Sequence, residues 1–293
     1  MGLIVGLTGM GGGALLTPLL VLFFRVAPLA AISSDLLTSL VMKPLGAMVH
    51  VRQRTVHWRL AVWLIAGSVP SAFAGAMVIG AIGHASGVQG NLKLIIGGTL
   101  CASVAMMVLR QALELRQRRR DALMGRPGDL EPPFEVRPLH TVAIGIIGGF
   151  AVGMTSVGAG SLIIALLLIV YPGLRPAALV GTDIVQAIPL VAAATLGHLL
   201  FGDVQLALTT SLLLGALPGV YLGARLSAQG PAALIRPVLT GVLLASALAL
   251  LGASTLLVAT AATVSVIAVA ALGTWRHVIS STIPPVPEIG TVG

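Results

Sequence analysis

Apolar segments follow one another along almost the whole chain, separated by short polar or basic stretches. They lie at 1–24, 29–49, 59–82, 92–110, 140–171, 176–200, 205–225, 237–252 and 254–273. A hydrophobic run of roughly 18 residues or more is long enough to cross the hydrocarbon core of a bilayer as a helix. The pattern therefore predicts an all-α polytopic membrane protein.

The composition supports this class and argues against others. Of the 293 residues, 57% are hydrophobic and only 9% are charged, whereas soluble domains carry about 25% charged residues. The net charge of +8 does not indicate a nucleic-acid partner, because the basic residues lie between apolar segments, as the positive-inside rule expects. The single cysteine, Cys101, excludes an intrachain disulfide, and the scattered histidines predict neither a metal site nor a cofactor.

The sequence divides into five regions. We predict a first transmembrane repeat at 1–110, a charged linker at 111–139, a second repeat at 140–252, an extra span at 253–273 and a disordered tail at 274–293. The linker is rich in arginine, acidic residues, proline and glycine, which is typical of a solvated segment. The tail contains Pro284, Pro285 and Pro287.

The two repeats align residue by residue. An offset of 147 matches Thr8 with Thr155, Gly11 with Gly158 and Gly13 with Gly160. From Pro28 onwards an offset of 148 continues the match, in the pairs Pro28–Pro176, Asp35–Asp183, His50–His198, Gly67–Gly215 and Pro70–Pro218. So many matched glycine, proline, aspartate and histidine positions indicate an internal duplication, which is typical of secondary transporters.

The distribution of arginine predicts that the repeats are inverted. If the glycine-broken segment of each half enters the membrane and returns to the same side, the linker and most arginines face the cytoplasm and only Arg25 lies outside. Each half then contains this re-entrant segment plus three spanning helices. Because three is an odd number, the halves have opposite orientations, with one extra C-terminal span. The linker 111–139 and the C-terminus are expected on the cytoplasmic side of the membrane.

Two glycine clusters interrupt the apolar segments and are the main candidate site. Glycine costs a helix interior about 0.5–1 kcal/mol relative to alanine, and a broken helix in a bilayer is tolerated only where it faces protein or a water-filled cavity. The helix N-termini that such a break exposes attract anions. We predict that the clusters together bind an anion through Thr8, Gly9, Gly11, Gly12, Gly13, Thr155, Ser156, Gly158, Gly160 and Ser161. The alternative is that the small residues only allow close helix packing.

Asp35 and Asp183 are the only acidic residues inside the predicted spans. Each either relays protons, which would make transport proton-coupled, or caps the broken helix beside it. Thr38 and Gln186 follow one turn later on the same face and are candidate cavity residues. Lys43 is a candidate anion contact, although extension of its side chain to the cytoplasmic surface is the simpler interpretation.

An enzymatic interpretation is weaker. Ser156 among glycines, with His198 elsewhere, superficially resembles a hydrolase site, but the first repeat has Gly9 at the position of Ser156. The sequence also lacks a P-loop, which argues against ATP-driven transport by this chain alone. We therefore predict that the chain is not an enzyme.

The glycine-rich run Gly6–Gly13, the stretch Thr17-Pro18-Leu19-Leu20, the residues Ala30 to Ser39 and the triplet Gly181-Thr182-Asp183 resemble the TauE/SafE family of sulfite exporters. The resemblance implies an inner-membrane permease that moves sulfite, sulfoacetate or related sulfonates, mostly outward. Its partners would be the anion and the lipid bilayer, and a homo-oligomer is compatible with the sequence. The alternatives are a channel or permease for another small anion, and a membrane-embedded enzyme or assembly factor.

Overall fold

The computed structural model describes residues 13–84, 89–123, 135–157, 160–227 and 232–282. Regular structure in these ranges is helical, which confirms the predicted all-α class. The helices are α1 (Gly13–Leu22), α2 (Pro28–Arg52), α3 (Trp58–His84), α4 (Gln89–Leu123), α5 (Pro138–Thr155), α6 (Leu162–Val170), α7 (Pro176–Phe201), α8 (Leu206–Ser227), α9 (Ala232–Leu250) and α10 (Thr255–Thr282).

Several helices are suited to a bilayer. Within the described ranges, four segments are long and apolar enough to cross a membrane, namely Trp58–Gly83, Asn91–Arg116, Pro138–Thr155 and Ala178–Phe201. Large hydrophobic side chains also cover the outside of the bundle, where Leu214 and Leu256 are each 77% exposed. An outer surface of this kind is stable against lipid rather than water. The fold is therefore that of a polytopic membrane protein.

Two helices extend further than the apolar pattern predicts. The fourth apolar segment, expected at 92–110, lies inside α4, which continues to Leu123 and so includes part of the predicted linker. The last helix, α10, continues to Thr282 and so includes residues 274–282 of the predicted tail.

The helices pack in a pattern that follows the sequence duplication. The offset of 148 relates α2 to α7 and α4 to α9, and the offset of 147 relates the short helix α1 to the short helix α6. Each short helix lies against the last helix of the other repeat, α1 on α9 and α6 on α4, while α2 packs on α7 and α4 on α9. These contacts therefore recur when the two halves are exchanged, whereas the contact of α3 with α7 is more extensive than its counterpart between α8 and α2.

One polar contact shows the same correspondence in atomic detail. Ser33 on α2 is hydrogen-bonded to His198 on α7, with 2.8 Å between Ser33 Oγ and His198 Nδ1. The offset maps this pair onto Gly181 and His50, and a Cβ atom placed on Gly181 would lie 3.3 Å from His50 Nδ1. The matched positions therefore lie close together in both halves, although His50 Nδ1 is hydrogen-bonded to Thr55 and not to position 181.

Glycines bring α3 and α5 into backbone contact. A Cβ atom added to Gly145 would lie 2.5 Å from the carbonyl oxygen of Leu64, and one added to Gly75 would lie 2.5 Å from that of Phe150. Small residues allow membrane helices to approach this closely. The contact fixes α5 against α3, and the C-terminal end of α5 leads directly into the second glycine cluster.

Candidate functional site

The second glycine cluster breaks the chain between α5 and α6. The break begins at Ser156, whose φ of 58° and ψ of 0° end α5 in a left-handed conformation, with its amide donating to the Val152 carbonyl at 2.7 Å. Gly160, at the start of the next helical segment, has a φ of 92°, a value that residues other than glycine rarely adopt. The predicted helix break is therefore present here. Thr8, Gly9, Gly11, Gly12 and Gly158 lie outside the described residues, and Gly13 begins α1.

Thr155 and Ser161 contact the backbone of the break. The Thr155 hydroxyl donates to the Ala151 carbonyl at 2.7 Å and accepts the Val157 amide at 3.2 Å. Ser161 directly precedes α6, and its carbonyl accepts the Ala165 amide at 3.1 Å. Thr155 thus holds the conformation of the break, and the Ser161 carbonyl begins the hydrogen bonding of α6.

Asp35 lies fully buried on α2 and faces the break from the first half of the chain. Thr17 on α1 donates to its Oδ2 atom at 2.8 Å, and the hydroxyls of Ser39 and Ser156 lie beside the same carboxylate. Asp35 Oδ1 and Ser156 Oγ are both buried and make no further well-formed hydrogen bond within the part of the chain that is described. Unpaired buried polar atoms are rare and often mark functional positions.

Asp183 occupies the matched position on α7 and contacts the other side of the break. The Gln186 side chain donates to its Oδ1 atom at 3.0 Å, and the backbone amide of Gly160 is directed at the same carboxylate. Gln186 in turn accepts a hydrogen bond from Ser68 on α3 at 3.1 Å. Thr38, the counterpart of Gln186, instead donates to the Ser34 carbonyl at 2.7 Å.

Two cationic side chains lie near the aspartates. Lys43, partly buried on α2, interacts electrostatically with both Asp35 and Asp183. Arg110 on α4 interacts with Asp183, and its Nη1 atom donates to the Gly160 carbonyl at 3.4 Å. The Nε atom of Arg110 also donates to the buried Glu114 at 2.8 Å. The structure therefore gathers three carboxylates and two cations around the second break.

The site also contains residues that were not predicted from the sequence, namely Arg110, Glu114 and Ser68, together with the hydroxyls of Thr17 and Ser39. The signal for the first two was their spacing, since an arginine and a glutamate four residues apart form an ion pair on one helix face. Among the predicted residues, the structure brings together Asp35, Asp183, Ser156, Gly160, Gln186 and Lys43.

His198 lies apart from this cluster and joins three helices. Its Nε2 atom donates to the Gly153 carbonyl at 2.8 Å, and its Nδ1 atom is bonded to Ser33. The side chain is fully buried. Both ring nitrogens are therefore engaged away from Ser156, so the serine–histidine pair that a hydrolase would need is not formed.

Comparisons with known proteins agree with this architecture. The sequence profile of the family described as "Sulfite exporter TauE/SafE" matches residues 1–250. The chain is 34% identical over 256 residues to "Probable membrane transporter protein YjnA" of Bacillus subtilis (strain 168), covering 86% of this chain and 96% of the relative. "Probable membrane transporter protein YdhB" of the same organism is 23% identical over 251 residues, covering 83% of this chain and 96% of the relative.

A third relative, "Probable membrane transporter protein YunE" of Bacillus subtilis (strain 168), is 25% identical over 243 residues, covering 78% of this chain and 86% of the relative. No solved structure matches the chain. The family match over most of the chain and the identity to YjnA establish that this protein belongs to the TauE/SafE family of membrane transporters.

Proposed function

We propose that this protein is a secondary transporter that exports small sulfur-containing anions, such as sulfite, sulfoacetate or related sulfonates, across the inner membrane. The observation that carries the proposal is the convergence of Asp35 and Asp183, from matched positions of the two halves, on the second helix break and on Lys43. The family name suggests the class of substrate, and the chemistry of the site is compatible with an anion of this class.

The groups at the break suit a sulfur oxyanion. Such an anion carries several oxygen atoms with concentrated negative charge, and it is held best by charged donors together with backbone N–H groups. Lys43, Arg110, the Gly160 amide and the Ser156 hydroxyl are donors of these kinds. Thr8 and the glycines of the first cluster are proposed to complete the site from the other half.

Burial of the site favours a carrier over a channel. Asp35 is 0% and Asp183 2% exposed, so an anion at this position would have no continuous aqueous path to either surface. A carrier requires such an occluded state, from which the site opens alternately to each side. The reciprocal packing of the two halves supports inverted repeats that exchange conformations during this cycle. The arginine distribution supports a cytoplasmic linker and C-terminus.

The break itself can be tested with a matched pair of glycines. Gly160 and Gly252 both have positive φ values, of 92° and 79°, but Gly252 lies in the turn between α9 and α10, where an added Cβ atom would meet nothing within 4 Å. A left-handed conformation costs a residue other than glycine roughly 1–2 kcal/mol. Gly160→Ala should therefore lower anion flux in proteoliposomes about tenfold, whereas Gly252→Ala should leave it unchanged.

Equal flux in the two variants would show that the break does not hold the anion. The remaining alternatives, a channel for another anion and a membrane enzyme or assembly factor, predict different outcomes. A channel would give flux that does not saturate with anion concentration. Purified protein that moves no anion but converts a substrate would favour an enzyme.

A further inference from the structure

A carboxylate of the chain itself already occupies the position at the second break that suits an anion. Asp183 accepts a hydrogen bond from Gln186 at 3.0 Å and faces the Gly160 amide. A Cβ atom on Gly160 would lie 3.8 Å from Asp183 Oδ2. Lys43 and Arg110 both act on this carboxylate. These are the partners that a bound oxyanion would require.

Asp35 has different surroundings, although it occupies the matched position. Its oxygen atoms face the hydroxyls of Thr17, Ser39 and Ser156, and Lys43 is the cation that acts on it. The backbone amide of the break and the second cation are directed at Asp183 alone. Ser156 Oγ, buried beside Asp35 and unpaired within the described residues, is a further donor for a ligand at the same break. The donors for an anion therefore converge on Asp183.

The charges around Asp183 explain why its protonation state must change when an anion binds. The charged groups that act on it are Lys43 from α2 and Arg110 from α4, and Arg110 is in turn paired with Glu114. The residues of α6 are all uncharged, and α3 contributes the neutral Ser68 through Gln186. Two like charges about 4 Å apart repel by about 4 kcal/mol at an effective dielectric constant near 20. An incoming anion cannot share these donors with an ionised Asp183.

Resting on the proposed function, we propose that anion binding and protonation of Asp183 are linked, so that one proton and one anion occupy the site together. A proton from water adds to the Asp183 carboxylate, and the neutral acid releases the Gly160 amide, Lys43 and Arg110 to the anion. No other bond forms or breaks. When the anion leaves, the acid loses its proton and the carboxylate returns to the amide, which closes the empty site.

The test compares two matched variants, Asp183→Asn and Asp35→Asn. The probe is radiolabelled sulfoacetate, because its charge is constant near neutral pH and any pH dependence then reports on the protein. In the wild type, the affinity for sulfoacetate should fall about tenfold per pH unit once the pH is high enough to ionise Asp183 in the empty protein. Asp183→Asn should bind the anion with a pH-independent affinity, since asparagine is neutral at every pH and, like the protonated acid, leaves the Gly160 amide to the anion. Asp35→Asn should retain the wild-type slope.

A measurement on the unmodified protein does not depend on how the variants fold. In weakly buffered detergent solution with a pH indicator, addition of sulfoacetate should remove one proton from solution per anion bound. Binding without proton uptake, or a wild-type slope in a folded Asp183→Asn, would overturn the linkage and leave the transporter proposal intact. Absence of binding and flux for both sulfite and sulfoacetate would instead overturn the proposed function itself.

Discussion

The close contact between α3 and α5 gives a sharp prediction about the substitution Gly145→Ala. The added Cβ atom would lie 2.5 Å from the Leu64 carbonyl oxygen and 3.0 Å from the Ser68 amide nitrogen. Ordinary contact begins at 3.4 Å, so the two helices must separate by about 0.9 Å. Because both obstructing atoms belong to the backbone, no side-chain rotation relieves the contact.

The expected cost follows from two opposing effects. Overpacking of this kind destabilises by about 1–3 kcal/mol, while replacing a helical glycine by alanine returns about 0.5–1 kcal/mol. The net loss should be about 1–2 kcal/mol, which lowers the folded-to-unfolded ratio by a factor of about 5–30. Anion flux should fall as well, because α5 positions the break at Ser156.

Thermal unfolding in detergent can be followed through the single cysteine. Cys101 is partly buried on α4 against the hydrophobic core, so a thiol-reactive fluorophore reports its exposure when the bundle opens. Gly98→Ala is the matched control, since an added Cβ atom there would meet nothing within 4 Å. Gly145→Ala should melt below the wild type, and Gly98→Ala at or above it. Equal melting temperatures for the two variants would refute the packing argument.

Three further predictions concern the site, the interface between halves and the topology. Lys43→Met should lower anion flux about tenfold or more, because a hydrogen bond to a charged group contributes about 1.5–3 kcal/mol. The control Lys93→Met, at an exposed position on α4, should leave the flux unchanged. Equal flux in the two variants would exclude Lys43 from the site. His198→Ala should destabilise the fold by about 1–3 kcal/mol, because it removes the side-chain donor of the buried Gly153 carbonyl and one of the partners of Ser33. An unchanged melting temperature would contradict this role. A cysteine introduced beside Arg175, in a Cys101→Ala background, should react with an impermeant reagent only from the cytoplasmic side, and labelling from outside would contradict the re-entrant topology.

The pattern of apolar segments predicted the helical class, because this class depends on local properties of the sequence. Apolar length determines which segments can enter a bilayer, and prolines such as Pro176 at the start of α7 mark helix beginnings that the structure retains. The glycine cluster likewise predicted the break after Thr155, since glycine supplies the backbone conformation found at Gly160.

The C-terminal ends of α4 and α10 were not predicted to be helical, because the segments around them are rich in proline, glycine or charged residues. Glu114 falls in the predicted solvated linker because the surrounding residues are charged, yet it is buried against Arg110 one helical turn earlier. Residues 274–282 form part of α10 because the prolines that suggested disorder begin only at Pro284.

The convergence on the site could not be predicted from sequence, because it depends on tertiary contacts. Arg110 reaches the Gly160 carbonyl across 50 residues of sequence, and no periodic pattern connects the two positions. For the same reason the sequence left Lys43 as either a surface-seeking side chain or an anion contact, whereas the structure brings it near both aspartates.

The most direct test of the central claim is exchange of radiolabelled sulfite or sulfoacetate in proteoliposomes that contain only the purified wild-type protein. An alternating-access carrier predicts uptake that saturates with anion concentration and is accelerated by unlabelled anion inside the vesicles. Uptake no faster than in protein-free vesicles, or uptake that neither saturates nor responds to internal anion, would contradict the account.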